Sequence, residues 1–307
     1  MSDPQAQTRA TRPLPLIGAQ IKTAGGFRLV PERAAQIGAE VVQIFNSNAR
    51  QWRPRPFDPD ELETLKAGLA DRGLPLFFHT IYLINLASPD EELRLHSSAA
   101  LAEALFVGAV AGADGVVVHV GSHRGEGFDT AAGWVGLAVQ YAQGLARERL
   151  AGLNLEASLP CLLLETSAGS ANSMGRDLEQ LAALLHSLPG ECGLCLDTAH
   201  LFAAGYPIHE VDGLERFVEE LRSRRLLDAI RLIHLNDSRT PFGSGRDHHE
   251  NLGDGEIGCE ALGRVLRHPA FRERSFVLEV PGLDGHGPDA VNLERAKTIR
   301  SATPSRP

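Results

Sequence analysis

Along this chain, short near-continuous apolar runs alternate with longer stretches in which apolar residues return every three or four positions. The short runs are LIGAQI (16–21), VVQIF (41–45), PLFFHT (75–80), GVVVHV (115–120), CLLLET (161–166), GLCLDT (193–198), IRLIHL (230–235) and SFVLEV (275–280). Continuous rather than alternating apolar character marks parallel strands covered on both faces. The longer stretches, at 30–39, 58–73, 88–113, 130–152, 176–188, 214–225, 256–268 and 289–300, carry helical periodicity. Eight strand-then-helix units predict an α/β fold, a (β/α)8 TIM barrel, over an open sheet. No linker divides the middle of the chain, so 14–300 is expected to be one domain between polar tails at 1–13 and 301–307.

Residues of metal-ligand type gather at the strand ends. His79, His119, Glu165, Asp197, His234 and Glu279 close strands three to eight, His200 follows Asp197 by three positions, and RDHHENLGDG adds Asp247 and His249 one residue apart. An extended backbone aims that last pair the same way. In such barrels the C-terminal strand ends form the active site. Each residue alone has an ordinary explanation: Asp197, for example, fits the N-cap of a following helix. Six consecutive strand ends would each need that explanation separately, and buried unpaired charges cost several kcal/mol apiece. Cations at the centre remove the cost. Five imidazoles and four carboxylates exceed the roughly four ligands of one zinc. Two or three ions are implied, with a bridging carboxylate; the imidazole content favours Zn2+, with Mn2+ or Fe2+ as alternatives. Adjacent divalent ions share a hydroxide and clamp the attacking and leaving oxygens of phosphoryl displacement, so phosphoester hydrolysis is the expected chemistry. His123, deeper in its loop, is a weaker ligand candidate.

Composition narrows the partners. The net charge of −9 argues against an unassisted, uniformly basic nucleic-acid binder, though bound cations would make the mouth locally positive. The N-terminal dozen residues have no apolar core and no run approaches the roughly 20 apolar residues of a membrane span, so no secretory signal and no membrane association are expected. Cys161, Cys192, Cys195 and Cys259 are too few for a disulfide scaffold, and Cys192 and Cys195 fall on opposite faces of one strand, so structural cysteines and a cytoplasmic location are expected.

Together, IGAQIKTAGG (17–26), RQW (50–52), YLINL (82–86), HVGSH (119–123), CLDTAHLFAAGY (195–206), IHLND (233–237), RDHHENLGDGEIG (246–258) and VLEV (277–280) resemble endonuclease IV, the zinc-dependent apurinic/apyrimidinic endonucleases of base excision repair. The resemblance spans about 17–280 and implies three Zn2+ ions. His79, His119 and Glu165 would hold the first; Glu165 would bridge to a second on Asp197, His234 and Glu279; His200, Asp247 and His249 would hold the third. It further implies hydrolysis of the phosphodiester 5′ to an abasic site in duplex DNA by a bridging hydroxide, leaving a 3′-hydroxyl and a 5′-deoxyribose phosphate. Glu165 and Glu279 would be catalytic, Glu279 orienting or deprotonating the nucleophile. Arg50, Tyr82 and Leu83 would enter the duplex, which suits kinked DNA with a turned-out nucleotide. Without the resemblance, Tyr82 and Leu83 read as packed loop residues and Trp52 as core. Arg53, Arg55, Arg239 and Arg246 are further candidates for phosphate contacts. No organic cofactor is implied, and monomer is the default state.

The chain departs from the family pattern at Gln20, where His is common, at Thr80 and Ile81, where an acid or a small polar pair is usual, and at Thr166, where Asn is common. Changes beside metal ligands cost ten- to a hundredfold in affinity or rate. Two rival readings follow. One is a metal-dependent sugar isomerase or epimerase on a similar barrel, opposed by the His200/Asp247/His249 set and the RQW and YLINL loops. The other is a lesion binder without turnover.

Overall fold

All eight apolar runs close into one parallel barrel in a computed structural model, which describes residues 14–169 and 172–302. The barrel strands are β1 Ile17–Gln20, β2 Val42–Phe45, β3 Leu76–His79, β4 Gly115–Val118, β5 Cys161–Glu165, β6 Cys192–Asp197, β7 Ile230–His234 and, after a two-stranded excursion, β10 Ser275–Leu278. Each pairs with its sequence neighbour, and β10 pairs back with β1 through Gly18↔Val277. The outer layer is α1 Val30–Ile37, α2 Pro59–Ala70, α3 Glu91–Ala111, α4 Phe128–Gly152, α5 Leu178–Ser187, α7 Val211–Ser223, α8 Gly258–Arg267 and α9 Ala290–Ser301. Aspartates set several helix starts: Asp58, Asp90, Asp177 and Asp289 each accept a main-chain N–H from the first turn. α3 is long and apolar enough to cross a membrane by length and composition, but most of it is buried against the strands and α4. α9 runs through Ser301, one residue into the segment expected to be a tail. The expected tail at 1–13, and residues 303–307 of the one expected at 301–307, lie outside the described residues.

Between β7 and β10 the chain makes an antiparallel pair that apolar periodicity does not show, β8 Asp237–Ser238 against β9 His249–Glu250. Asp237 is buried, and its carboxylate accepts N–H groups from Ser238, Gly253, Gly255, Ile257 and Gly258. This single side chain folds the loop that follows β9 and so fixes the side of the mouth that carries Asp247 and His249. A second unforeseen element is α6 Thr198–Ala204, which starts directly at Asp197.

Inside the barrel, the strand period of two stacks two layers. Val41, Phe77, Val117, Leu163, Cys195, Leu232 and Val277 form an apolar layer. Two positions further along each strand stand Gln43, His79, His119, Glu165, Asp197, His234 and Glu279. On β1 the lower position is Gly18, where a Cβ would lie 1.7 Å from the Val41 carbonyl oxygen. Between β6 and β7 the register slips after Leu194, bringing Asp197 opposite His234.

Candidate metal centre

The upper layer and its loops gather three overlapping ligand groups, each with its ligand atoms within 4.8 Å of one another. These are His79, His119 and Glu165; Glu165, Asp197, His234 and Glu279; and Asp197, His200 and His249. Glu165 is 1% exposed and faces two groups at once: Oε2 lies 3.1 Å from His79 Nε2 and 3.3 Å from His119 Nε2, while Oε1 lies 3.0 Å from His234 Nδ1. Asp197 likewise belongs to two groups, its Oδ2 lying 3.7 Å from His234 Nδ1 and 3.5 Å from His249 Nε2. Asp247 joins the third group from solvent, with its oxygens 3.1 Å from His200 Nε2 and 3.2 Å from His249 Nε2.

In four of the five imidazoles one ring nitrogen faces the cluster while the other meets an acceptor. His79 Nδ1 donates to the Thr80 carbonyl (2.7 Å), His200 Nδ1 to the Thr166 carbonyl (2.7 Å), His249 Nδ1 to the Glu279 carbonyl (3.4 Å) and His234 Nε2 to Gln43 Oε1 (2.9 Å). Such tethers fix the tautomer that leaves the other nitrogen free to coordinate.

Electrostatics agree. Burial alone would raise the Glu165 pKa, but His119, His234 and His79 hold it well below the usual carboxylate range. Burial opposes charge on His249, yet Asp197 and Asp247 push it up to about 9. His200 and His234 are raised well above the usual imidazole value against the same penalty, by Asp197 and Asp247 for the former and by Cys195, Glu279 and Glu165 for the latter. His119 goes the other way, lowered by burial. The carboxylates thus favour positive charge at these rings, which is the charge a bound cation would supply, and metal would compete with protons there. The donor set fits such ions: His200 Nε2 and His249 Nε2 are buried without a hydrogen-bond partner, although each closely approaches an Asp247 oxygen. Two ring nitrogens and a carboxylate converging without hydrogen-bond alignment is the arrangement of ligands around a common cation.

Residues 31–301 match the xylose isomerase-like TIM barrel family. A probable endonuclease 4 of Nitratidesulfovibrio vulgaris is 36% identical over 93% of this chain and 99% of its own length. The crystal structure of endonuclease IV from Thermus thermophilus superposes with a TM-score of 0.79 at 37% identity, covering 93% of this chain and 98% of that one. The chain belongs to the endonuclease IV family. A 3-keto-D-glucoside 4-epimerase from E. coli shares the fold alone, at 16% identity and a TM-score of 0.63 over 94% of this chain and 100% of its own.

In this endonuclease, the cap and ligand readings of Asp197 are compatible. Oδ1 accepts the His200 N–H at 2.8 Å and starts α6, while Oδ2 faces the cluster and accepts from Asn236 Nδ2 at 2.7 Å. Asn236 Oδ1 in turn takes the Glu279 N–H at 2.8 Å, linking the ends of β6 and β10. The Thr166 departure is absorbed: its hydroxyl oxygen accepts the Asp197 N–H at 2.8 Å. His123 faces its own loop, its Nδ1 accepting from Gly125 and Gly127, and it joins none of the ligand groups.

At the mouth, Tyr82 is 54% exposed, with its ring 5.7 Å from that of His79 and 6.4 Å from that of His119. Trp52, at 38% exposed, is not core. Arg50 is exposed, and Leu83 is half-buried against the main apolar core. Arg55 corrects an expectation: its guanidinium grips Glu61 at 2.8 Å and stacks 4.3 Å over Phe27, so it is not a free phosphate contact. Arg239 pairs with Glu250 at 2.9 Å, whereas Arg53 and Arg246 are exposed. The residues missed from sequence are Gln43 and Asn236, amides that hold the ligands.

Proposed function

We propose that this protein is a DNA repair endonuclease that hydrolyses the phosphodiester 5′ to abasic sites in duplex DNA, leaving a 3′-hydroxyl and a 5′-deoxyribose phosphate. The observation that carries the reading is the pair of shared carboxylates, Glu165 and Asp197, which join three ligand groups into one cluster below an open mouth. His79, His119 and Glu165 would hold one ion, Glu165, Asp197, His234 and Glu279 a second, and His200, Asp247 and His249 a third. Zinc suits these ligands, with Mn2+ able to use the same set. When bound, such ions supply an ionised water at neutral pH and neutralise charge on phosphoryl oxygens.

The chain's own residues do the rest. Glu279 is partly open to the mouth, with Oε2 3.2 Å from His234 Nδ1, and would orient the attacking water and accept its proton. Beside the cluster, a cavity of about 580 Å3 is bounded by Tyr82, Leu83, His119, Ser122, Arg124 and His200. It offers room for a sugar and phosphate turned out of the stack, a movement least costly where the base is missing. Tyr82 and Leu83 would fill the space left in the duplex, and Arg50 would meet its backbone. The free cysteines are consistent with cytoplasmic action, and the reading requires one copy of the chain.

A duplex with one tetrahydrofuran abasic mimic tests this. Zinc-loaded protein is expected to nick on the 5′ side of the mimic, leaving a 3′-hydroxyl, and chelation is expected to stop it. Because the mimic cannot undergo β-elimination, that nick requires hydrolysis. An intact duplex after incubation with fully loaded protein overturns the proposal.

A further inference from the structure

Three of the tethered imidazoles are held by main-chain carbonyls, and His234 alone is held by a side chain. That side chain is Gln43, which is 0% exposed and occupies the same inward layer of the barrel as the ligands. Its carboxamide is fully engaged. Oε1 accepts from His234 Nε2 at 2.9 Å, and Nε2 donates to Glu279 Oε1 at 2.7 Å and to Gln20 Oε1 at 2.8 Å. The Glu279 carboxylate selects this orientation, because a flipped amide would set its oxygen against a carboxylate oxygen. The flip would also present an N–H to His234 Nε2 and force that ring's proton onto Nδ1. Nδ1 is the atom facing the cluster, 3.0 Å from Glu165 Oε1 and 3.2 Å from Glu279 Oε2, and a protonated Nδ1 cannot coordinate.

We propose that Gln43 is a positioning residue that fixes the His234 tautomer and holds the Glu279 carboxylate, with Gln20 as its anchor. Gln20 and Gln43 are register partners on β1 and β2, so the amide pair is held by the sheet itself. The direction of the amide chain follows from Glu279: a carboxylate only accepts, so the Gln43 amide donates to it, and the Gln43 oxygen is left for the imidazole. One group thereby acts on a ligand and on the proposed proton acceptor together. The inference rests on the metal-centre reading above, and metal binding tests it independently of whether abasic DNA is the substrate.

The experiment compares wild type with Gln43→Leu and Gln43→Glu by chelator competition for Zn2+, by the ligand-field spectrum of the cobalt-substituted proteins, and by kcat and KM on the abasic duplex. In Gln43→Leu one metal equivalent is expected to bind about ten- to a hundredfold more weakly. The cobalt spectrum should change, and kcat should fall with KM within about twofold. Gln43→Glu keeps the acceptor for His234 but removes both donors and faces Glu279 with a like charge, so metal affinity should fall less than in Gln43→Leu while kcat still falls. This variant also carries the test if Gln43→Leu fails to fold. Wild-type affinity and cobalt spectrum in folded Gln43→Leu would overturn the proposal, as would full kcat in metal-loaded Gln43→Glu. A wild type that binds metal but does not cut abasic DNA would defeat the functional reading and leave this inference standing on the first two measurements.

Discussion

The two layers inside the barrel are built by the same strands, two residues apart, and their energetics have opposite signs. Burying Val41, Phe77, Val117, Leu163, Cys195, Leu232 and Val277 lowers the free energy directly, by about 25 cal/mol for each Å2 of apolar surface removed from water. Burying Glu165, Asp197 and His234 raises it unless partners or cations compensate, by several kcal/mol for each ion. The apolar layer therefore stabilises the barrel that holds the charged layer in a geometry it would not adopt alone. Fold and chemistry are separated by one step of the strand period.

That separation can be broken from either side. Glu165→Gln should give the largest effect, since the residue serves two ligand groups: cleavage is expected to fall on the order of 10^3-fold, with bound zinc reduced in elemental analysis. Its neighbour one layer down, Leu163→Ala, should instead cost about 2–5 kcal/mol in urea unfolding, while the folded protein keeps its full metal complement. Loss of metal from a folded Leu163→Ala protein would show that the layers are not separable in this way.

Tyr82 stands outside both layers, at the mouth, and sharpens the comparison further. Tyr82→Ala should weaken binding to an abasic duplex by about 1–3 kcal/mol, roughly 5- to 150-fold, with metal content and unfolding midpoint unchanged. Equal affinity for the two proteins would remove Tyr82 from recognition.

The fold was legible because the eight strands are largely buried on both faces and therefore stand out as apolar runs, and because the ligands interrupt those runs at their ends. His119 and Glu279 were found although both lie one residue past the assigned strand, since the inward direction continues along the chain. What periodicity could not show is structure made by side chain to main chain bonds. The β8–β9 pair depends on Asp237, and α6 is seven residues long, too short for an apolar stripe. Gln43 was overlooked for a different reason: an amide is not among the usual ligands, so a search for ligand types passes over it. The step from Val41 to Gln43 is nonetheless the same as from Val117 to His119, and reading the layer rather than the residue type would have found it.

The opposite rim of the barrel supplies the smallest and most specific contrast, a charge pair that works without metal. Arg300 on α9 donates to Glu40 Oε2 at 2.5 Å, to Oε1 at 3.0 Å and to the Pro15 carbonyl at 2.7 Å, and Glu40 also accepts the Ile17 N–H at 2.9 Å. The pair ties the last helix to the start of the first strand, where the barrel closes. Partial burial works to raise the Glu40 pKa, but Arg300 and the Ile17 N–H outweigh it and hold it below the usual carboxylate value. A depressed carboxyl pKa stabilises the folded state at pH above the unfolded value, and the contribution is lost as pH falls through the folded one. Glu40 is partly solvent-facing, so screening keeps the effect small: Glu40→Gln should cost about 1 kcal/mol at neutral pH. The gap between wild type and variant should narrow in acid, as the pH falls through the lowered pKa of the folded wild-type carboxyl. Urea unfolding of both proteins across that range reads the difference directly, and a gap independent of pH would mean that shape rather than charge holds the rim together.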